Sequence, residues 1–192
     1  MESERFSLGT RGFVAVVSEF NNYVMVHIRK YYQGKPTKFG IALTTKEWRI
    51  LMNKSKQIND LLEQMQEVLE QQANSPNTEQ EELESESFHI GFRGYFALVS
   101  EFKKNLLVHV RKFDDDGKPT DKGIAIKPSE WKCLIAKSDE IDKIITHLKE
   151  EIKQKNETEL KDSKDNLEPP AKKKKCNEHS KIVKRRLFKA NV

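Results

Sequence analysis

The chain has 192 residues, a net charge of +5, and 34% charged against 36% apolar residues; that supplies one modest core or two small ones, with segments left over that cannot pack. Two cysteines exclude a disulfide framework, and no run approaches the ~18 apolar residues of a membrane helix. The start, M-E-S-E-R-F, lacks a basic leader followed by an apolar stretch, so no secretory signal is expected and a reducing, intracellular compartment is.

The first predicted element is a short strand, Phe6 to Gly9, ending at glycines that permit a tight turn or bulge. A second strand runs from about Phe13 to Phe20, and a turn at Asn21-Asn22 leads into the third, Tyr23 to Tyr31. There Val24, Val26 and Ile28 alternate with Met25, His27 and Arg29. This period of two marks a half-buried strand whose one face builds a core and whose other face offers an arginine. Gly34-Lys35-Pro36 connects to a short fourth strand, Gly40 to Leu43, and Pro36 is expected to interrupt any ladder. One helix follows, capped by Thr44 or Thr45 with Glu47 close behind. Its Trp48, Leu51, Ile58, Leu61, Leu62 and Met65 keep helical spacing.

From Phe88 the same unit is written again. F-S-L-G-T-R-G-F aligns with F-H-I-G-F-R-G-Y, and the third strand reappears as Asn105 to Phe113, with Arg111 in the place of Arg29. One extra residue in the second D-D-D-G turn restores the alignment through Gly123-Ile124-Ala125-Ile126, Glu130-Trp131 and Lys137-Ser138. Twenty-six aligned positions are identical, so this is a duplicated domain. Pro119 should again interrupt the ladder, and Ser129 after Pro128 should cap the second helix.

The fold class is therefore α+β: two repeats of a four-stranded antiparallel sheet followed by one helix. Such a unit buries little by itself, so the two should pack together as a pseudo-dimer, or each should find a partner in a homodimer. The expected organisation is a first domain at 1–73, an acidic flexible linker at 74–87, a second domain at 88–155 and a disordered basic tail at 156–192.

Charge is segregated along this plan. Residues 66–87 hold seven acids and no base, whereas 169–192 hold nine bases and one acid. Basic blocks alternating with acidic connectors suggest an anionic partner, nucleic acid first among them. Lys172, Lys173, Lys174 and Lys175, followed by Lys184, Arg185 and Arg186, resemble a bipartite nuclear import signal. A nuclear location is therefore expected.

Catalytic signals are lacking: the sequence has no phosphate loop, no nucleophile elbow and no cysteine or histidine pair at metal spacing. No enzyme, metal or cofactor is expected. His27 and His109 recur because the strand recurs, and Cys176 with His179 lies in the tail. A sheet face carrying arginines, with Phe20, Phe102, Tyr31-Tyr32 and Phe113 at strand ends, instead suits single-stranded nucleic acid. Phosphates need cations along a groove and bases need flat surfaces for stacking.

Each repeat resembles the C-terminal domain of the transcriptional coactivator positive cofactor four family, over nearly all of residues 6–65 and 88–148. The likeness rests on F-x-[IL]-G, E-F before the turn, [IV]-R-x-[YF] in strand three, G-I-x-[LI] and the helix Trp, in that order and twice. It implies a curved four-stranded sheet with one helix, dimerisation through helices and sheet edges, and single-stranded DNA lying in channels of the sheet. By resemblance Phe20 and Phe102 fall on an aromatic DNA contact, Arg29 and Arg111 on the strand-three arginine, Lys122 on the lysine before G-I-x-L, and Asn21 and Lys103 on a turn lysine. Tyr32 falls on an aromatic whose counterpart here is Asp114, and Phe39 replaces the lysine, with Lys38 adjacent. Arg11 and Arg93 complete the candidate nucleic-acid-binding set.

The reading that results is a nuclear single-stranded DNA-binding coactivator, acting with RNA polymerase II or on melted DNA. Its expected partners are single-stranded DNA, with RNA a further candidate, and the transcription machinery or activators, and no membrane. The alternative is an interaction adaptor of the transcription machinery with little affinity for nucleic acid.

Overall fold

A computed structural model describes residues 4–74 and 86–165. Each repeat contributes four strands: β1 (Arg5–Ser7), β2 (Phe13–Phe20), β3 (Tyr23–Tyr32) and β4 (Lys35–Thr44) from the first, and β5 (Ser87–His89), β6 (Tyr95–Phe102), β7 (Asn105–Phe113) and β8 (Pro119–Ile126) from the second. All eight join in one antiparallel sheet in the order β1-β2-β3-β4-β8-β7-β6-β5. The sequence of strands reads the same from either edge, so the repeats meet at β4 and β8. Their ladder contact is the single pair Gly40 and Gly123.

Two-residue turns set the hairpin register. Asn21 and Asn22, and likewise Lys103 and Lys104, all have positive φ, which matches the right-handed twist of the flanking strands. The fourth strands begin earlier than expected. Pro36 lies within β4 opposite Tyr31, and Pro119 opens β8 opposite Phe113. The prolines are tolerated because β4 meets β8 only at Gly40, which leaves the preceding segment with an open side that needs no donor. The irregularity appears instead as a register shift between Arg29 and Tyr31 and between Arg111 and Phe113.

The expected single helix of each repeat is broken in two: α1 (Thr45–Asn53) and α2 (Ser55–Asn74), then α3 (Pro128–Ala136) and α4 (Ser138–Asp165). Thr44 caps α1, its hydroxyl accepting from the Glu47 N–H while Glu47 accepts from the Thr44 N–H. In the second repeat the cap is Lys127, whose N–H donates to Glu130 at 2.8 Å, and Ser129 lies inside the helix. Pro128 explains the shift, since it occupies the first helical turn, where its missing N–H costs nothing. The breaks fall at Lys54 and Lys137. At the second, Ser138 Oγ donates to the Ile135 carbonyl at 2.7 Å, a local bond that competes with the helical ladder. The described part of α4 runs past residue 155 to Asp165.

One core serves both repeats. Val24, Val26, Ile28 and Leu43 of the first and Val108, Val110, Ile124 and Ile126 of the second are buried beneath Trp48, Leu51, Ile58, Trp131, Leu134 and Ile141. The indole N–H of Trp48 donates to Asp142 Oδ1 at 2.8 Å, and that of Trp131 to Asn59 Oδ1 at 2.9 Å. Each helical tryptophan is therefore anchored on the helix of the other repeat. The expectations for the linker over residues 75–85, for the import clusters, and for Cys176 and His179 lie outside the described residues.

Candidate nucleic-acid interface

Strand alternation puts Met25, His27 and Arg29 of β3, and Leu107, His109 and Arg111 of β7, on the sheet face opposite the core. One row of that face can be followed through every strand by register: Ser7, Val14, Arg29, Gly40, Gly123, Arg111, Phe96 and His89. Two glycines occupy its centre and two arginines flank them. With strands about 4.8 Å apart, three spacings put the arginine backbones about 14 Å from each other.

The glycines are required by the arginines. A Cβ on Gly40 would sit 2.9 Å from Arg29 Cγ, and one on Gly123 would sit 2.9 Å from Arg111 Cβ and Cα. Each arginine stem lies across a glycine. The guanidinium of Arg29 reaches the Thr37 carbonyl at 3.3 Å and that of Arg111 the Thr120 carbonyl at 3.4 Å. These are long, weak bonds that leave most of the five donors of each guanidinium for another acceptor. Among the described residues Arg111 Nε is buried without a hydrogen-bond partner, a donor whose desolvation is left uncompensated there.

His27 and His109 occupy the next row, paired with Val16 and Ala42 and with Leu98 and Ala125. Burial, and after it the neighbouring Arg29 or Arg111, holds each imidazole below its ordinary pKa, which keeps them neutral at pH 7. His109 Nε2 is 3.0 Å from Ser100 Oγ.

Beyond the arginines, each repeat turns the same corner. Thr37 Oγ1 donates to the Lys30 carbonyl at 2.8 Å and accepts from the Phe39 N–H at 3.3 Å. Thr120 Oγ1 does the same for Lys112 and Lys122, again at 2.8 and 3.3 Å. Lys38 and Phe39 stand at the first corner, the ammonium 5.4 Å from the ring centroid, and Lys122 stands at the second. Tyr32, at the end of β3, is exposed.

At the hairpin ends the expected Phe20 and Phe102 are both exposed, beside Asn21 and Lys103. The Lys103 ammonium lies 5.4 Å from the Phe102 ring. Two exposed aromatics were missed in the sequence. Tyr23 is paired with Phe20 across the turn; its place opposite a residue already singled out, on the face of Met25 and His27, was the available signal. Phe92 lies in the loop before β6, at the place of Thr10, and is fully exposed; nothing in a repeat comparison distinguishes it.

Arg11 and Arg93 are placed differently from the rest of the expected set. Arg11 Nε donates to Glu130 Oε1 at 2.8 Å and its terminal nitrogen to Oε2. Arg93 makes the same fork with Glu47, Nε to Oε1 at 2.7 Å, and donates to the Ala42 carbonyl at 3.0 Å. Both guanidiniums are committed to buried carboxylates of the other repeat, and the geometry gives them a joining role. Burial by itself would raise the pKa of Glu47 and Glu130, but the arginine bonds and the cap bonds outweigh it and hold both below the carboxylate range.

Among the described residues no group of three or more His, Cys, Asp or Glu could hold a metal ion. Comparison with curated proteins finds no match to this chain. A protein-family comparison does: the family described as transcriptional coactivator p15 (PC4) matches residues 6–54 and 95–137. The two segments run from β1 and from β6 respectively, and they end at the lysines where the helices break.

Proposed function

Both repeats of this chain are domains of the transcriptional coactivator p15 (PC4) family, and on that premise we propose that the protein binds single-stranded DNA on the open face of its sheet and acts as a coactivator at melted DNA in transcription by RNA polymerase II. The observation that carries the reading is the row Arg29-Gly40-Gly123-Arg111 at the centre of that face. Glycine removes the side chain under each guanidinium, exposed aromatics stand at the strand ends, and the combination provides cations for phosphates and rings for bases. A duplex offers its phosphates but keeps its bases stacked inside, so the rings favour the single strand.

The set that carries this function is Phe20, Asn21, Arg29, Tyr32 and Lys38 of the first repeat and Phe102, Lys103, Arg111 and Lys122 of the second. The two repeats work as an intramolecular pseudo-dimer, supported by the reciprocal Arg11–Glu130 and Arg93–Glu47 pairs. Light scattering at micromolar concentration should return the mass of one chain, and a stable dimer of chains would refute the intramolecular arrangement. The basic clusters from Lys172 to Arg186 direct nuclear import; deleting them should leave a tagged protein in the cytoplasm, and unchanged nuclear accumulation would refute that role.

The binding claim is tested by fluorescence anisotropy of the full chain with labelled oligo-dT and with a duplex of equal length, across a salt series. Preference for the single strand at every salt concentration is expected. Equal affinity for the duplex overturns the single-strand reading, and no affinity for either overturns it in favour of an adaptor.

A further inference from the structure

The corners of the two repeats share one scaffold and carry opposite chemistry. The threonine hydroxyls that fasten them, Thr37 to the Lys30 carbonyl and Thr120 to the Lys112 carbonyl, make bonds of the same length, so positions 39 and 122 are presented in the same way. The first is Phe39, 53% exposed, and the second is Lys122. Two further aligned positions differ in the same direction. Tyr32, 68% exposed, stands where the second repeat has Asp114. The Asp114 carboxylate is turned inward on its own loop, accepting from the Asp116 and Lys118 N–H groups at 3.1 and 2.7 Å. Tyr23, 71% exposed, stands where the second has Asn105, whose amide donates to the Lys103 carbonyl at 2.9 Å.

Each exposed ring offers a flat apolar surface on which a planar ligand can stack. All three belong to one half of the sheet. The other half replaces them with an ammonium and with polar groups spent on turns, and it adds Lys103 and Lys104 at its hairpin tip, where the first repeat has two asparagines. Stacking is available to every base because each has a π-face, whereas an ammonium can only follow the phosphates.

We propose that the two repeats divide the recognition of a single strand: the first repeat holds bases by stacking on Tyr23, Tyr32 and Phe39, and the second holds the sugar-phosphate backbone through Arg111 and Lys122. This rests on the single-strand reading above and specifies which half contacts which part of the ligand. The duplicated chain then binds a strand as two unlike sites.

The test uses the full chain and two labelled oligomers of equal length, oligo-dT and an abasic strand that keeps the phosphates and lacks the bases. The unaltered protein should prefer oligo-dT by about tenfold or more, the worth of one or more stacked bases. Tyr23→Ser, Tyr32→Ser and Phe39→Ser together should remove most of that preference and leave affinity for the abasic strand within about twofold. Phe92→Ser, which removes an exposed ring of the second repeat outside the proposed contacts, should retain most of the preference, and Lys122→Phe, which gives the second corner the ring of the first, should increase it. Circular dichroism and the melting midpoint confirm the fold of each variant, and the Lys122→Phe gain stands independently of any loss. Equal affinity of the unaltered protein for both strands, or equal loss of preference from Phe92→Ser and from the triple variant, overturns the division while leaving single-strand binding intact. Failure to bind either strand overturns both.

Discussion

Arg11 Nε and Glu130 Oε1 are 119 residues apart in the chain and 2.8 Å apart in the fold. The carboxylate they share with a helix start is almost wholly buried, and the same pair recurs as Arg93 with Glu47. One loop of each repeat therefore locks the first helical turn of the other. Removing one partner leaves a buried carboxylate without its cation, which costs more than the pair contributes when intact. Arg11→Ala or Arg93→Ala should each lower stability by about 2–3 kcal/mol, the guanidiniums being partly exposed. Denaturant unfolding checks this, and Arg11→Ala combined with Glu130→Ala should recover part of the loss.

The same two carboxylates predict the acid limit of the fold. Glu47 and Glu130 have folded pKa values below their ordinary one. A carboxylate with a depressed folded pKa adds stability that is fully present above its unfolded value, about 4.3, and lost as pH falls through the folded value. Melting midpoints should be flat in this respect from pH 7 to about 5 and then fall; Glu47→Gln with Glu130→Gln should start lower and flatten the acid limb.

The central glycines are not equivalent as mutation sites. A Cβ on Gly40 meets Arg29 Cγ and Nε, which can swing away, and Arg29 Cβ at 3.0 Å, which must give by a few tenths of an ångström, whereas one on Gly123 meets the Arg111 Cα and the Val110 carbonyl at 2.9 Å. Gly40→Ala should cost about 1 kcal/mol or less, chiefly displacing Arg29, and Gly123→Ala about 2–3 kcal/mol, because backbone must move. Thermal unfolding of the two variants side by side measures the difference.

Lys103 and Lys104 are held at positive φ, a region that costs a residue with a Cβ about 1 kcal/mol unless, like Asn, it bonds locally. The turn is fastened by the Lys104 N–H to Glu101 Oε1 at 2.9 Å, yet the first repeat holds the same turn with Asn21-Asn22. Lys103→Asn with Lys104→Gly should stabilise the protein by about 1–2 kcal/mol. It should also weaken oligo-dT binding and lower its salt slope by about 1. Paired unfolding and anisotropy measurements check the opposing effects.

Much of this was legible because the sequence states it twice. The alternation in Tyr23 to Tyr31 and Asn105 to Phe113 gave the strand, its buried face and its arginine, and the repeat itself gave two four-stranded units. The role of Arg11 and Arg93 was not legible, because a G-x-R-G turn shows a cation without showing that Glu130 or Glu47 of the other repeat receives it. The helix breaks at Lys54 and Lys137 were hidden for a related reason: apolar spacing continues across them, and the serine that takes a helical carbonyl looks like any surface serine. Pro36 and Pro119 were expected to stop a ladder, and the open sides of β4 and β8 before Gly40 and Gly123 relieve them of that effect. Gly40 and Gly123 were read as strand starts, and only the register places each beneath an arginine.

The proposed binding face is tested most directly at Arg29 and Arg111. Anisotropy of labelled oligo-dT with the full chain should show that Arg29→Ala combined with Arg111→Ala weakens binding at least about tenfold and lowers the slope of log affinity against log salt by about 1.4, two phosphate contacts at ~0.7 each. Each variant's melting midpoint serves as the control for folding. Unchanged affinity and slope in a folded double variant would contradict the account, because the strand would then lie somewhere other than the row those two arginines define.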